Sequence, residues 1–451
     1  MGSLKLRGLF ALSLAGILPA GAAIGASPLV QYAGAAAPWA ALFGFIVVLL
    51  SALPVLEYSR IAAFAGGYYG LAELGLGPAA GLFTAVSNYI YYVLWQIQNA
   101  MLAGWIVYGM TGLPASWPAA ALGALALTFL GAASPPKIYA ERVLLVAVGG
   151  STALTLLLSV YVAVMAPPLS SWLNPFEVDW GSVALAAALQ GIWLYVGYGA
   201  PLFYSEEAAE PERDVWRAVV LALVASSLVY TLTAYALAAT RPRPGGAPLY
   251  ISAWSRYLPS ALLALYPLLA APAAVAYGGP AGSHARLLWA MAREGIIKSD
   301  WLARRRRGVP LNAALFNFLL SAAGASALMA LFVWAYGPSP ESAERAWLAA
   351  SSTATLTWYY HHVLPQFALY PWLKRRGRLG AREYAISLAA PALASAFFAF
   401  SVYELAAHGR FAAGSLYASL AILAWATAFA LAKRGARPGR LWRLSHGAPL
   451  Q

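Results

Sequence analysis

The chain has 451 residues, 61% of them hydrophobic and only 10% charged, with a formal net charge of +13 and a mean hydropathy of +0.66. Soluble domains carry about 25% charged residues, so this composition excludes a water-soluble enzyme or binding module and indicates an all-α polytopic membrane protein. The sequence has no cysteine, which excludes disulfides, thiolate catalysis and cysteine metal sites.

A helix needs roughly 20 apolar residues to cross a hydrocarbon core of about 30 Å. Twelve stretches qualify. The first six run Leu9–Val30, Ala36–Glu57, Gly81–Tyr108, Ala115–Ala133, Val143–Met165 and Ser182–Tyr204. The second six run Val215–Thr240, Leu258–Tyr277, Leu311–Tyr336, Trp347–Trp372, Tyr384–Ala407 and Phe411–Ala432. Nothing between them is long enough for a soluble domain. The longest polar stretch, Ala285 to Pro310, reads as a short cytoplasmic helix (Arg286 to Gly295) followed by the basic cluster Arg304–Arg307.

With the N-terminus cytoplasmic, every lysine and arginine except Arg241, Arg243, Arg256, Arg345 and Arg410 falls on the cytoplasmic side. The positive-inside rule therefore supports the helix count and places both termini in the cytoplasm of a multi-pass plasma-membrane protein. The basic runs then read as topology signals beside anionic lipid rather than as a nucleic-acid surface. Lys5 and Arg7 ahead of an apolar run with small residues near Ala20–Ala23 also fit a secretory signal peptide. Against that reading, apolar character resumes past Pro28, and cleavage would invert the charge bias.

Two of the stretches are interrupted, and each opens one half of the chain. The first carries Gly25-Ala26-Ser27-Pro28, the second Gly197-Tyr198-Gly199-Ala200-Pro201. Backbone groups freed by helix breakers at bilayer depth are tolerated only where protein, water or a ligand satisfies them. A matched pair of such breaks in the two halves points to a transporter's binding site. The half-helix resuming at Pro28 offers free N–H groups and a positive dipole end to a carboxylate, and the half-helix before it offers carbonyls to an ammonium or a cation. The alternative is small-residue packing at the first break and an ordinary kink with interface aromatics at the second.

Four stretches in order resemble the amino acid–polyamine–organocation (APC) superfamily of permeases. Ile24-Gly25-Ala26-Ser27 resembles its I-G-[SA]-G signature, and Ala65 to Gly70 its P-x-G-G-x-Y loop. Trp193 to Glu207 followed by Pro211 to Ala218 resembles its segment around helix six, and Ser283 to Gly295 its loop after helix eight. Ser27, Phe64 and Trp216 depart from the family pattern. The resemblance implies a leucine-transporter-type fold, a 5+5 inverted repeat with helices one and six discontinuous and two C-terminal helices added. In that layout the whole chain is one transporter domain. The first repeat is 9–165, the second starts at 182 and runs to 336 or, with helix ten, to about 372, and helices eleven and twelve occupy 384–432.

The resemblance further implies an α-amino acid between the breaks. Its carboxylate would meet the N–H groups of Gly25, Ala26 and Ser27. Its ammonium would meet carbonyls near Ala23, Trp193 and Val196, with Trp193 capping the substrate and Gly197, Tyr198 and Gly199 supplying exposed backbone. Neither break carries an Asp or Glu, which favours neutral amino acids over arginine, lysine or polyamines, because an unpaired cation there is costly. In helix three Tyr89, Tyr92, Trp95, Gln96 and Asn99 fall at helical spacing and offer a pocket lining.

No cofactor is expected. The driving ion is open, with the proton slightly favoured over sodium because Leu258–Tyr277 holds a single serine and no threonine. His361 and His362 sit mid-helix and titrate near neutral pH in water. Being adjacent, they point about 100° apart, so one at most faces the centre. Glu57 and Arg60 read as an i,i+3 pair at the cytoplasmic end of helix two, and Glu206, Glu207 and Arg286 as inner-gate bridges or a solvated face. The competing classes are a polytopic membrane enzyme and a channel. The five histidines are scattered, with no acidic motif beside the central pair, and no charged ring or pore loop appears. The expected partners are an amino acid and the lipid bilayer, with no nucleic acid. Oligomeric state is not encoded legibly.

Overall fold

Helices account for nearly all of the protein. The computed structural model describes residues 3–17, 22–169, 174–241, 256–259, 276–407, 413–433, 439 and 443. Among them β structure is limited to isolated bridges, Leu4 with Ala208 and Arg306 with Val309. In chain order the first half comprises α1 (Leu6–Ile17), α2 (Ala22–Ala33), α3 (Ala37–Ser59), α4 (Tyr68–Leu76), α5 (Pro78–Thr111), α6 (Ser116–Ala132) and α7 (Pro136–Met165). α8 (Trp180–Ala186) continues through a π turn, Ala187–Gly191, and a 3₁₀ turn, Trp193–Tyr195, and a separate 3₁₀ segment spans Ala200–Glu207. Then come α9 (Pro211–Ala239), α10 (Gly278–Arg293), α11 (Leu311–Tyr336), α12 (Pro340–Arg375), α13 (Ala390–Ala407) and α14 (Ala413–Ala432).

Lipid is as apolar as leucine, so these helices are held together by close packing and interhelical hydrogen bonds rather than by hydrophobic contrast. Their outward faces are apolar: Val146, Val164 and Trp334 are 74%, 77% and 84% exposed. Inside, small residues bring backbones together. A Cβ on Gly44 of α3 would lie 2.3 Å from the Gly191 carbonyl. Hydroxyls bridge elements, Tyr195 Oη donating to Ala41 O at 3.0 Å and Ser283 Oγ to Ala200 O at 3.0 Å.

The eighth expected span, Leu258–Tyr277, lies almost wholly outside the described residues. The segment after it departs from expectation. Ser283 to Arg293, read from sequence as a loop with a short cytoplasmic helix, is part of α10, and every residue from Gly278 to Ala292 is buried. This run is too polar for lipid, and it does not meet lipid. Its glycines let Tyr139 and Tyr204 approach the helix backbone, and the surrounding helices cover it.

Candidate functional site

The second interruption forms where the sequence places it. Tyr195 ends the 3₁₀ turn, Val196 is extended at φ −61° and ψ 137°, and Gly197 adopts φ +105°, a region that suits glycine. Helical geometry resumes at Ala200 with Pro201 in the first turn, where its missing N–H is not needed. Tyr195, Tyr198 and Phe203 are fully buried around the gap.

The first interruption does not fall at Gly25–Pro28. Gly25, Ala26, Ser27 and Pro28 lie inside α2, so the N–H groups of Gly25, Ala26 and Ser27 are not those of an unwound stretch. α1 is described to Ile17 and α2 from Ala22. The intervening residues, 18–21, which read Leu-Pro-Ala-Gly, lie outside the described residues. Pro28 forfeits one intrahelical bond, to the carbonyl of Ile24, and a buried helix tolerates that loss when its neighbours are small. Gly25 serves packing instead, since a Cβ there would sit 2.6 Å from Leu194 Cδ2.

The second interruption meets α1. A Cβ on Gly16, one residue before the end of α1, would fall 2.1 Å from Gly197 O, and one on Gly197 would fall 2.3 Å from Gly16 O. The Ile17 carbonyl accepts the Tyr230 hydroxyl at 3.1 Å, and Tyr198 O accepts Ser13 Oγ at 2.7 Å. The carbonyls of Ile17 and Tyr198 are thus each partnered by a side chain.

Beside this junction lies a chamber walled by Tyr68, Tyr91, Tyr92, Trp95 and Trp358, with Gly197 and Gly199 on one side. Its free volume is about 10 Å³, room for one water, so the site is closed. Tyr92 and Trp95 reach it as the helix-three pattern suggests. Gln96 and Asn99 lie on an adjoining surface, where Gln96 Nε2 bonds His284 Nδ1 at 2.7 Å and Asn99 Nδ2 donates to Trp95 O at 2.8 Å. Trp193 is not in the chamber wall. It packs behind it, 5.8 Å from both Trp358 and Phe398.

Both His361 and His362 line the chamber, contrary to the expectation that one at most would face inward. Their Cα–Cβ directions diverge, but flat rings swing back into one space. The rings meet at 4.5 Å, His361 lying 4.8 Å from Tyr91 and His362 3.9 Å from Trp358. The sequence reading missed Tyr68, Tyr91, Trp358 and His284. Tyr68 stood within the quoted glycine-tyrosine motif, and its hydroxyl presses on Gly199, whose Cβ would clash with it.

At the end of the bundle rich in lysine and arginine, the 3₁₀ segment is sealed by ion pairs. Arg286, 1% exposed, holds Glu207 through two bonds of 3.0 and 2.8 Å, and Arg305 reaches the same carboxylate. Arg293 grips Glu206 through two bonds of 2.9 Å. The Arg286 guanidinium also lies 3.7 Å over the Tyr204 ring. Ser3 and Leu4 N–H groups donate to Glu207 O, tying the N-terminal segment to the same point. Glu57 and Arg60 do approach to 3.4 Å, but on a solvent-reachable edge where Arg382 also competes for Glu57.

The family model for amino acid permeases matches residues 4–427. No curated protein sequence matches the chain. Among solved structures, the chain is similar to the manganese transporter of Eremococcus coleocola, solved in complex with an aromatic bis-isothiourea substituted compound. The TM-score is 0.58 at 13% identity, over 98% of this chain and 94% of that one. That likeness shows a shared fold, the leucine-transporter type with its discontinuous first and sixth helices.

Proposed function

The chain belongs to the amino acid permease family of the amino acid–polyamine–organocation superfamily, and from that premise we propose that it is a secondary carrier of neutral amino acids working by alternating access. The observation that carries the proposal is the backbone apposition of Gly16 and Gly197, which sets α1 against the α8 gap beside a closed, aromatic chamber. The substrate binds against the backbone exposed at the α8 gap, around Gly197 and Gly199. The ammonium meets carbonyls at the α8 gap, near Trp193 and Val196.

Neutrality stems from the chamber's chemistry. No Asp or Glu lies among its described lining residues, so a cationic side chain would be buried without a counter-charge. The basic end faces the cytoplasm of the plasma membrane by the positive-inside rule. The Arg286–Glu207 and Arg293–Glu206 pairs are then the cytoplasmic gate, and Glu57–Arg60 is a peripheral contact.

The test is uptake into proteoliposomes of labelled alanine, leucine and phenylalanine against arginine, lysine and putrescine. Saturable uptake of the neutral group alone is expected. Gly25→Leu, which collides with Leu194, and Gly197→Leu, which cannot hold φ +105°, abolish it while the protein still reaches the membrane. Accumulation of the cations, or unimpaired uptake by both variants, refutes the reading.

A further inference from the structure

We propose that His362 reads the side chain of the substrate, and that the amino acids carried with highest affinity are those whose neutral side chain ends in a hydroxyl or a carboxamide. This rests on the carrier reading above and narrows its substrate class.

His362 is 3% exposed, and neither of its ring nitrogens has a hydrogen-bond partner among the described residues. A neutral imidazole carries one N–H donor and one acceptor nitrogen. Buried polar groups are nearly always satisfied, so an imidazole left bare on the wall of a transport chamber points to a partner that arrives during the cycle. The packing around the ring shows where that partner can reach it. Trp358 and Tyr68 lie 3.9 and 4.4 Å from it, centroid to centroid. Rings approach this closely only over a face, whereas both nitrogens lie on the edge. Carbon rings therefore cover the faces of His362, and its polar edge is the part left for a ligand.

The chamber also selects the chemistry of that ligand. No carboxylate, lysine or arginine lies among its described lining residues, so a charged side chain would be buried without a counter-charge. An aliphatic side chain would close the chamber with the imidazole still unmet, and a buried donor or acceptor without a partner forfeits its solvation. A hydroxyl or a carboxamide both donates and accepts, so it satisfies the nitrogen that faces the chamber whichever tautomer the ring holds. Gly197 and Gly199 line the same chamber as His362. An amino acid whose main chain rests on the α8 gap thus has its side chain within reach of α12. The closed chamber has only about 10 Å³ of free space, which favours compact side chains such as those of serine, threonine and asparagine. Aliphatic amino acids remain substrates, at lower affinity.

The experiment uses the full chain in proteoliposomes and compares near-isosteric labelled pairs, threonine against valine and asparagine against leucine. The members of a pair match in size and differ in hydrogen bonding. KM is expected to be lower for threonine and for asparagine by about 10-fold or more, the scale of one buried hydrogen bond that would otherwise go unmet. A plain hydrophobic pocket gives the opposite order. In His362→Phe, which keeps an aromatic ring and removes both nitrogens, the ratio within each pair falls to about 1 or inverts, whatever happens to the absolute rate. His362→Gln, which keeps a donor and an acceptor, retains the wild-type order. Equal or reversed affinities in the wild-type protein, an order that survives in His362→Phe, or an order lost in a transporting His362→Gln protein overturns the side-chain reading and leaves the carrier reading intact. Absence of wild-type uptake of all four amino acids overturns both.

Discussion

Gly16→Ala tests the junction on which the site depends, because the sign of its effect depends on the contact. Gly16 lies in α1 near its C-terminal end. In a helix interior, alanine is more stable than glycine by roughly 0.5–1 kcal/mol. Were Gly16 free of neighbours, the substitution would stabilise the protein. Its new Cβ would instead lie 2.1 Å from Gly197 O and 2.9 Å from Gly197 C. Those atoms are backbone, and the next residue, Tyr198, is held through its carbonyl by Ser13 Oγ, so the overlap is relieved only by moving a helix. Overpacking of this kind costs typically about 1–3 kcal/mol. Subtracting the propensity gain leaves a net destabilisation on the order of 1–2 kcal/mol. Thermal unfolding at a fixed scan rate reads it as a drop of a few degrees in Tm. Gly109→Ala is the reference, since that glycine also sits within a helix, α5, and a Cβ on it meets nothing within 4 Å. It is expected to hold or raise Tm. A Gly16→Ala protein as stable as Gly109→Ala, with full amino acid uptake, refutes the apposition of α1 and the α8 gap and the binding site built on it.

Arg286→Ala leaves Glu207 with Arg305 alone and strips a 1%-exposed cation from the ring of Tyr204. Breaking a buried pair of this type costs about 3–5 kcal/mol, and differential scanning of Arg286→Ala against Arg60→Ala, an exposed pair worth at most about 1 kcal/mol, should separate the two clearly. Glu73, buried in the short helix α4, is a pH-sensitive group outside the spans. Burial pushes its carboxyl up from 4.5 to about 7, the Gly439 N–H opposes that shift, and nearby Glu294 reinforces it. The folded state therefore holds a proton that the unfolded state releases, so stability is fullest below about pH 4.5 and falls as pH rises towards 7. The difference is on the order of 3 kcal/mol. Tm of Glu73→Gln followed between pH 5 and 8 should be flatter than wild type, and an equally steep profile discards the assignment.

The second break was legible and the first was misplaced, for one physical reason. At Gly197 the breaker coincides with a backbone turn at positive φ, and its missing side chain also admits the Gly16 backbone. At Gly25 the missing side chain makes room for Leu194, and Pro28 rides inside α2. Small residues in membrane helices either unwind the chain or admit a neighbour, and sequence records only that they are small.

Hydropathy misread α10 by a related mechanism. It measures compatibility with lipid, and Gly278 to Arg293 never meets lipid, because other helices surround it. A polar run through the centre of a carrier is therefore invisible to a scale built for spans, though the motif around Ser283 was recognised. That is why the buried Arg286 was expected in a loop, and why His284 was counted among scattered histidines when it stacks 5.4 Å from Tyr92 and bonds Gln96. The adjacent pair on α12 failed differently. A helical wheel fixes where a Cβ points, not where a ring ends, and two imidazoles separated by about 100° of arc still converge when the space between α4, α5 and the α8 gap is within reach of both. Segments that line a closed chamber are thus the ones whose burial has least to do with their hydrophobicity. Polar residues inside an otherwise apolar run, here His361 and His362, mark such a chamber alongside the helix breakers Gly197 and Gly199.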